Sequence, residues 1–273
     1  MLGAVEISIV LGSVIVLFLG FVIVQARYLF GGPEILRSVI KLSYAEYARR
    51  GFFELVTVAA LVLPFLLCMH WLLKKDDPRP ERLFRLLSGG VIALLFVIMF
   101  SAVYRMRLYQ IEFGLTELRL CTTAFMGWLA IVLVWFVITV GRGQADRFAF
   151  GALASAGGVL LILNVLNPDD FIVRVNAGRV DAANPLDTSY VAGLSADAVP
   201  ALIAALPKMN AHDECVTAAR LLERWMPPER GSPPQHLDAL TWNLARSLAW
   251  QAVGANWNYL QGVACPQQNY QAD

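Results

Sequence analysis

Five apolar runs in the first two thirds of the chain restrict its fold more than any other feature. Each run has about twenty residues, which is the length of α-helix that crosses the hydrocarbon core of a bilayer. Only 16% of the residues are charged, against roughly 25% in a typical soluble domain, and charges are scarcest inside these runs. The sequence predicts an all-α fold, a polytopic transmembrane helical bundle of about five spans, at residues 5–24, 52–73, 86–104, 120–140 and 148–166.

The remainder of the chain has ordinary polarity, and proline and serine residues divide it into short stretches. We expect residues 1–167 to form the transmembrane bundle and residues 168–273 to form a mostly helical non-membrane tail, a small helical C-terminal subdomain. Ser195 is expected to cap the first tail helix. The first apolar run is expected to stay as a span, because no basic residues precede it and no small-residue cleavage site follows it. Three tail helices are predicted, at 196–206, 212–226 and 232–253.

Basic residues give a mixed signal for membrane orientation. With the amino terminus in the cytoplasm, the inside loops carry seven Lys and Arg residues and the outside loops carry eight, or ten with Arg174 and Arg179. This count leans toward the opposite orientation. The loop at 74–85 is nevertheless the least ambiguous basic loop. The tail has one lysine, four tryptophans and two cysteines, which suits an extracytoplasmic domain. We therefore expect the tail to lie outside the cytoplasm.

The four cysteines constrain the fold weakly. Cys68 and Cys121 lie in or beside predicted spans, where packing is their expected role. Cys215 and Cys265 both lie in the tail, and a disulfide between them requires an oxidising compartment. The sequence leaves a bridge and two free thiols as alternatives.

The fifth run is rich in small residues. Gly151 and Ser155 share a helix face, as do Ala154 and Gly158, because the members of each pair are four residues apart. Small residues allow a second helix backbone to approach closely. Packing inside the bundle is expected here, rather than a dimer interface.

The stretch 43–54 joins a polar helical turn to the second apolar run. Ser43 and Glu46 form the S-x-x-E pattern of a capping box, which predicts a helix that starts near Tyr44 and continues into the membrane. On that helix one polar stripe descends toward the bilayer, because its members are spaced three or four residues apart. The stripe consists of Glu46, Tyr47, Arg50 and Glu54, with Arg49 on a different face.

Two interpretations of this stripe are open. In the first, Glu46 caps the helix and the two arginines extend to lipid headgroups. Glu54 then pairs with Arg50. In the second, the stripe faces the bundle interior and lines a polar pocket for a ligand, an ion or a lipid headgroup. Basic residues at span ends are common, which favours the first; the cost of an unpaired carboxylate at Glu54 favours the second.

A second polar cluster follows the third run and consists of Tyr104, Arg105, Arg107, Tyr109 and Glu112. Gly114 is expected to end that helix and Thr116 to cap the next one. Counting spans places this cluster, the 43–54 stretch and the tail at one membrane face. Arg50, Glu54 and Arg105 are therefore predicted to meet the polar residues that follow the fifth run, Asn167, Asp169 and Asp170. The candidate polar or headgroup-binding cluster comprises Tyr44, Glu46, Tyr47, Arg49, Arg50, Glu54, Arg105, Asn167 and Asp169.

The run YAEYARRGFFEL at 44–55 resembles the signature of a bacterial inner-membrane family known only as a domain of unknown function. The resemblance covers roughly residues 15–207 and implies a polytopic membrane protein, without supplying an activity. Members of that family have further spans before this region, so we expect either a short member or a fragment that depends on a partner. Later stretches similar to the family are 166–169, with Asn176 shortly after, then 186–190, which ends at Tyr190, and 194–202.

Signals of soluble-enzyme chemistry are missing from the sequence. It contains no Walker-type phosphate loop, no H-E-x-x-H pair and no G-x-S-x-G elbow, and its three histidines have no metal-binding spacing. The net charge of +1 argues against a nucleic-acid partner. We expect no cofactor and no metal, and we expect membrane lipids and another membrane protein as partners.

The leading interpretation is a non-catalytic component of a membrane assembly or of an envelope sensing system. A transporter or channel is one alternative, although no span interior carries the several ionisable residues of a proton relay. A membrane enzyme acting on lipid or polyprenyl phosphates is another. Arg49, Arg50 and Arg105 would bind phosphate there, and Glu54 or Asp169 would be the only evident general base. The sequence assigns no catalytic residue.

Overall fold

The computed structural model describes residues 3–30, 44–73, 78–180, 186–225 and 243–266. Side chains are described for all of these except 25–30, 44–55, 78 and 112. Within these ranges the regular structure is helical and contains no strand. The predicted all-α class is confirmed.

Five helices correspond to the five predicted spans. Among the described residues, four segments are long and apolar enough to cross a bilayer: Ala4–Val24, Arg79–Ile111, Glu117–Gly141 and Ala145–Leu166. The second predicted span contributes the shorter apolar stretch Val56–Trp71, which follows residues whose side chains are not described. The helices are α1 (Ala4–Phe30), α2 (Tyr44–Trp71), α3 (Pro78–Phe113), α4 (Glu117–Gly141) and α5 (Phe148–Leu166).

The chain divides into two compact units. The first comprises Met1–Phe113 and Leu118–Leu161, and the second comprises Gly114–Glu117 and Ile162–Asp273. The expected domain boundary followed residue 167. In the structure the second unit begins earlier and also takes in the short segment between α3 and α4.

Helix α3 is central to the packing of the first unit, because it contacts both α1 and α2. The contact with α1 is close. A Cβ atom added to Gly90 would lie only 3.4 Å from Ile15 Cδ1. In a membrane such close packing stabilises helix association through van der Waals contact, since lipid tails are as apolar as the side chains they touch. The fully buried side chains of this core include Leu11, Leu66, Phe84, Leu95 and Leu133.

Helix α5 has no buried residue and is held by two tryptophans of α4. The Trp128 indole N–H donates to Ser155 Oγ at 3.2 Å and to the Ala152 carbonyl at 3.3 Å. A Cβ atom on Gly151 would lie 2.0 Å from Trp135 Nε1, so only glycine fits there. The predicted intramolecular packing of the Gly151 and Ser155 face is confirmed.

In its described residues, the second unit has six α-helices around a small apolar core. Helices α6 and α10 both pack on α8, and α9 packs on α11. Ile172, Leu202, Ala218, Val253 and Leu260 are buried between them. The helices are α6 (Pro168–Ala177), α7 (Thr188–Gly193), α8 (Val199–Ala205), α9 (Ala211–Trp225), α10 (Leu244–Ala255) and α11 (Trp257–Val263).

The tail helices differ in part from their prediction. The helix expected at 212–226 is confirmed as α9. The helix expected at 196–206 is a 3₁₀ turn at Ala196–Ala198 followed by α8, and the expected Ser195 cap is wrong, because the Ser195 side chain makes no capping bond. The third helix is described from Leu244, where the Asn243 side chain accepts from the Arg246 N–H; residues 226–242 lie outside the described ranges.

A disulfide joins Cys215, on α9, to Cys265, just after α11. The Cα atoms are 4.9 Å apart, and the Cys265 N–H donates to the Cys215 carbonyl at 3.2 Å. Beside it, the Tyr259 hydroxyl donates to the Glu214 carboxylate. Burial, and then this hydrogen bond, raise the pKa of Tyr259 to about 12, so the phenol remains a donor at neutral pH. These contacts hold the end of the described chain against α9.

Candidate functional site: a polar clasp on residues 114–117

The segment Gly114–Glu117 connects α3 to α4 and belongs to the second unit. Gly114 has a φ of +76°, in the left-handed region that favours glycine. A Cβ atom there would also lie 3.0 Å from both Asn176 Oδ1 and Arg179 Nη1. Glycine therefore meets two demands at once: it ends α3, as predicted, and it admits these side chains against the backbone.

Asn176 binds the backbone of Leu115 in both directions. The Leu115 N–H donates to Asn176 Oδ1 at 2.7 Å, and Asn176 Nδ2 donates to the Leu115 carbonyl at 2.8 Å. A primary amide offers an acceptor and a donor side by side, so it matches one residue's backbone in the way that a neighbouring strand would. Leu115 is only 7% exposed, so these backbone groups would otherwise lack partners.

Tyr190 binds the start of α4. Its hydroxyl accepts from the Glu117 N–H at 2.8 Å. Glu117 is the first residue of α4, and the first N–H groups of a helix have no partner within the helix. The Asp187 carboxylate fixes Tyr190 in turn, because it caps α7 by accepting from the Tyr190 N–H at 3.0 Å and from Ser189 Oγ at 2.8 Å.

Asp169 is an acidic side chain that is only 7% exposed. Its Oδ2 accepts from the Ser195 N–H at 2.9 Å, and its side chain lies close to that of Glu117. Asn167 has a φ of +53° and directs the chain into Pro168, which starts α6 one residue before Asp169.

These contacts define a single feature, which we call the clasp: the side chains of Asp169, Asn176 and Tyr190 around the segment 114–117. Asn176 and Tyr190 bind that segment through hydrogen bonds, Asp169 lies beside the Glu117 side chain, and all three are in the second unit. In the sequence, only the family resemblance pointed to Asn176 and Tyr190, and no pattern pointed to Glu117. The signal that could have identified them is the concentration of family-like stretches after the fifth run.

The predicted site residues fall into two groups. Tyr44, Glu46, Tyr47, Arg49, Arg50 and Glu54 have helical backbones in α2, but their side chains lie outside the described part, so both interpretations of that stripe stay open. Arg105 is 9% exposed on α3 and its Nε donates to the Ser101 carbonyl at 3.3 Å. Asp170 pairs with Arg174 at 2.6 Å. The predicted meeting of Arg105 with the residues after the fifth run stays a prediction.

The end of α3 carries a further set of contacts to α4. The Arg119 guanidinium lies 4.0 Å from the centre of the Tyr109 ring and donates to the Phe113 carbonyl at 2.8 Å. Gln110 Nε2 donates to Thr123 Oγ1 at 2.9 Å. Part of the second polar cluster thus joins two neighbouring helices.

Residues 1–205 match the sequence model of the family described as a domain of unknown function, DUF4153. The chain belongs to this family. The DUF4153 region contains the whole clasp and ends at the last residue of α8, so α9, α10 and α11 follow it. No curated protein and no solved structure matches the chain.

The chemistry available to the DUF4153 clasp is hydrogen bonding to backbone groups. No group of three metal-ligating side chains occurs in the described ranges. A cavity of about 380 Å³ lies elsewhere, between α4 and α5, and its lining is almost wholly apolar. Its walls include Ala130, Val134, Trp135 and Gly151.

Proposed function

We propose that this membrane protein is a non-catalytic component of an assembly or sensing system of the bacterial inner membrane, with its tail on the periplasmic side. The observation that carries the proposal is the direction of the clasp's hydrogen bonds. The Asn176 and Tyr190 side chains make hydrogen bonds to the backbone of the segment 114–117, and these bonds do not point into an open cavity. A catalytic centre needs polar groups free to meet a substrate.

The same geometry favours a role in transmitting a change. The segment 114–117 is continuous with α3 and α4, two of the candidate membrane spans. Its hydrogen-bond partners lie on α6 and α7 of the second unit. A partner or signal that alters those helices would therefore act on the connection between two spans.

The tail disulfide supports the periplasmic placement. Disulfides persist in oxidising compartments and are rare in the cytosol. With the tail outside, the loop at 74–85 faces the cytoplasm, in agreement with its basic character. The amino terminus then also lies in the cytoplasm.

Thiol labelling tests this placement. In protein taken from intact cells and denatured without reductant, we expect only Cys68 and Cys121 to react with a maleimide-coupled polymer, because both are free. After reduction all four cysteines should react. The Cys215→Ser variant should show three reactive thiols without reductant. Four reactive thiols in the wild type before reduction would place the tail in a reducing compartment.

Mass spectrometry of the gently purified full chain tests the functional proposal. We expect a protein partner at fixed stoichiometry, which is lost or weakened in Asn176→Ala and kept in Asn256→Ala. Asn256 is a matched control because its amide binds only its own helix, through the Ala252 carbonyl at 2.8 Å. A specific anionic lipid that is lost in both Arg50→Ala and Glu54→Ala, with no protein partner, would instead support a headgroup site and the enzyme alternative.

A further inference from the structure

We propose that the cavity between α4 and α5 binds an acyl chain of an anionic phospholipid, whose headgroup is held by Arg142 and Arg147. This lipid site goes beyond the proposed function and does not involve the clasp. It joins two features of the first unit: an apolar cavity and a pair of exposed cations at its end.

The cavity is an apolar groove of about 380 Å³. Small-molecule sites in proteins have volumes of about 300–1,000 Å³. On α4 the groove extends from Ala130 to Ile138, which is about 12 Å along the helix at 1.5 Å per residue. Ile131 and Val134 in its wall are 48% and 47% exposed, so the groove opens at the surface of the helices. In a bilayer that surface meets lipid tails.

The wall that α4 contributes ends in an arginine. Trp135 and Ile138 line the groove, and Arg142 follows Ile138 by four residues. The Arg142 N–H donates to the Ile138 carbonyl at 3.1 Å, so the helical turn continues to Arg142. Residues four apart lie on one helix face. Arg142 therefore continues this wall beyond the last apolar residue.

The wall that α5 contributes also ends in an arginine. Ser155 and Gly151 line the groove, and Arg147 lies four residues before Gly151. The indole N–H of Trp135, in the opposite wall, donates to the Arg147 carbonyl at 3.4 Å. This bond places Arg147 beside α4. Both walls thus lead to an arginine at the same end of the groove.

The two guanidinium groups are available to an anion. Arg142 and Arg147 are both exposed. Within the described residues, neither side chain makes an ion pair or a hydrogen bond. A guanidinium binds phosphate through two parallel N–H groups, which is a geometry that a lysine does not offer. An apolar groove that ends in two such groups is complementary to a lipid tail with an anionic headgroup.

The neighbouring charged groups leave this pair cationic. On α3, Arg85 approaches the same connection, since its Nη2 would lie 3.6 Å from a Cβ atom on Gly143, but it pairs with Glu81. Asp146 is the acidic residue of the connection. It lies four residues before Phe150, which is 79% exposed and does not line the groove. The Asp146 carboxylate is therefore on a different face from the two arginines.

The arginines, and not the groove, supply the preference for one lipid. Lipid tails are as apolar as the groove walls, so the walls alone gain little by exchanging one tail for another. Each basic residue near the membrane surface strengthens the binding of anionic lipid about fivefold. With the tail outside the cytoplasm, as proposed, the connection between α4 and α5 faces the cytoplasm, where the leaflet is negatively charged.

Native mass spectrometry of the full chain, released from nanodiscs, tests the headgroup contact. The nanodiscs contain equal amounts of phosphatidylglycerol and phosphatidylcholine with identical acyl chains. We expect the wild type to retain one phosphatidylglycerol in preference. Arg142→Gln and Arg147→Gln should each lower this preference about fivefold, and the double variant about thirtyfold. Arg82→Gln should keep it, because this exposed arginine is on α3, which does not line the groove.

Photolabelling tests the acyl-chain contact. A phosphatidylglycerol with a diazirine in its acyl chain should label the α4 peptide at 130–138 and the α5 peptide at 151–155. The label at these peptides should fall in the Arg142→Gln, Arg147→Gln double variant and persist in Arg82→Gln. Label spread evenly over the exposed faces of the described spans would contradict the groove as the site.

Three other results would overturn the proposal. They are equal retention of the two lipids by the wild type, a preference that the double variant keeps, and a dimer that carries no lipid, which would assign the groove to a second copy of the chain. Failure of this site can be told from failure of the proposed function, because the lipid measurements use the isolated chain, whereas partner capture depends on Asn176. Arg50→Ala should leave lipid retention at this groove unchanged, which separates it from a headgroup site on α2.

Discussion

Asn176→Ala is expected to lower the free energy of unfolding of the second unit by about 2–6 kcal/mol. The substitution removes both hydrogen bonds to the Leu115 backbone. Leu115 is buried, so its N–H and its carbonyl would each lose a partner, at about 1–3 kcal/mol per group. Denaturant unfolding of the detergent-solubilised full chain measures the change.

Asn256→Ala is the matched comparison, since it also replaces an asparagine with alanine in the second unit. Its lost bond, to the Ala252 carbonyl, lies within one helix end. We expect a loss of about 0.5–1.5 kcal/mol there. Equal losses in the two variants would mean that the Asn176 contacts are not what holds the segment 114–117.

Gly151→Ala is expected to destabilise the first unit, although alanine is normally better than glycine in a helix. The new methyl group would lie 2.0 Å from Trp135 Nε1 and 2.2 Å from its Cε2 atom. The indole must move, which also breaks its contact with the Arg147 carbonyl at 3.4 Å. Overpacking costs about 1–3 kcal/mol, which exceeds the gain of about 0.5–1 kcal/mol from replacing a helical glycine.

Two glycines of the same helix provide the control. A Cβ atom on Gly157 or on Gly158 would meet no atom within 4 Å. Gly157→Ala and Gly158→Ala should therefore stabilise the chain slightly, by about 0.5–1 kcal/mol. Gly151→Ala should lower the thermal midpoint of the detergent-solubilised protein, whereas Gly157→Ala and Gly158→Ala should raise it. A stabilised Gly151→Ala variant would show that Trp135 does not pack on this face.

The membrane helices could be predicted from the sequence because their signal is local. A run of about twenty apolar residues is sufficient to indicate a span, and the positions of α3, α4 and α5 followed from the apolar runs that these helices contain. The packing face of α5 could be predicted for the same reason. Gly151 and Ser155 are four residues apart, which places them on one face whatever lies opposite. Their partners, Trp128 and Trp135, could not be read from the sequence.

The clasp could not be predicted because its contacts are not local. The Asn176 amide and the Leu115 backbone are 61 residues apart, and the Tyr190 hydroxyl and the Glu117 N–H are 73 apart. An amide side chain gives no periodic pattern that would point to a backbone partner at such a distance. The expected Ser195 cap failed for a related reason. The Ser195 N–H is held by Asp169, and the chain enters a 3₁₀ turn there instead of an α-helix.

Amide hydrogen exchange at neutral pH tests the central claim, that polar side chains of the DUF4153 region hold the backbone of the segment 114–117. In the wild-type chain in nanodiscs, the amides of Leu115 and Glu117 should both be protected. Asn176→Ala should release the Leu115 amide first, and Tyr190→Phe should release the Glu117 amide while the fold persists. Unprotected amides in the wild type, or protection that neither variant changes, would contradict the account.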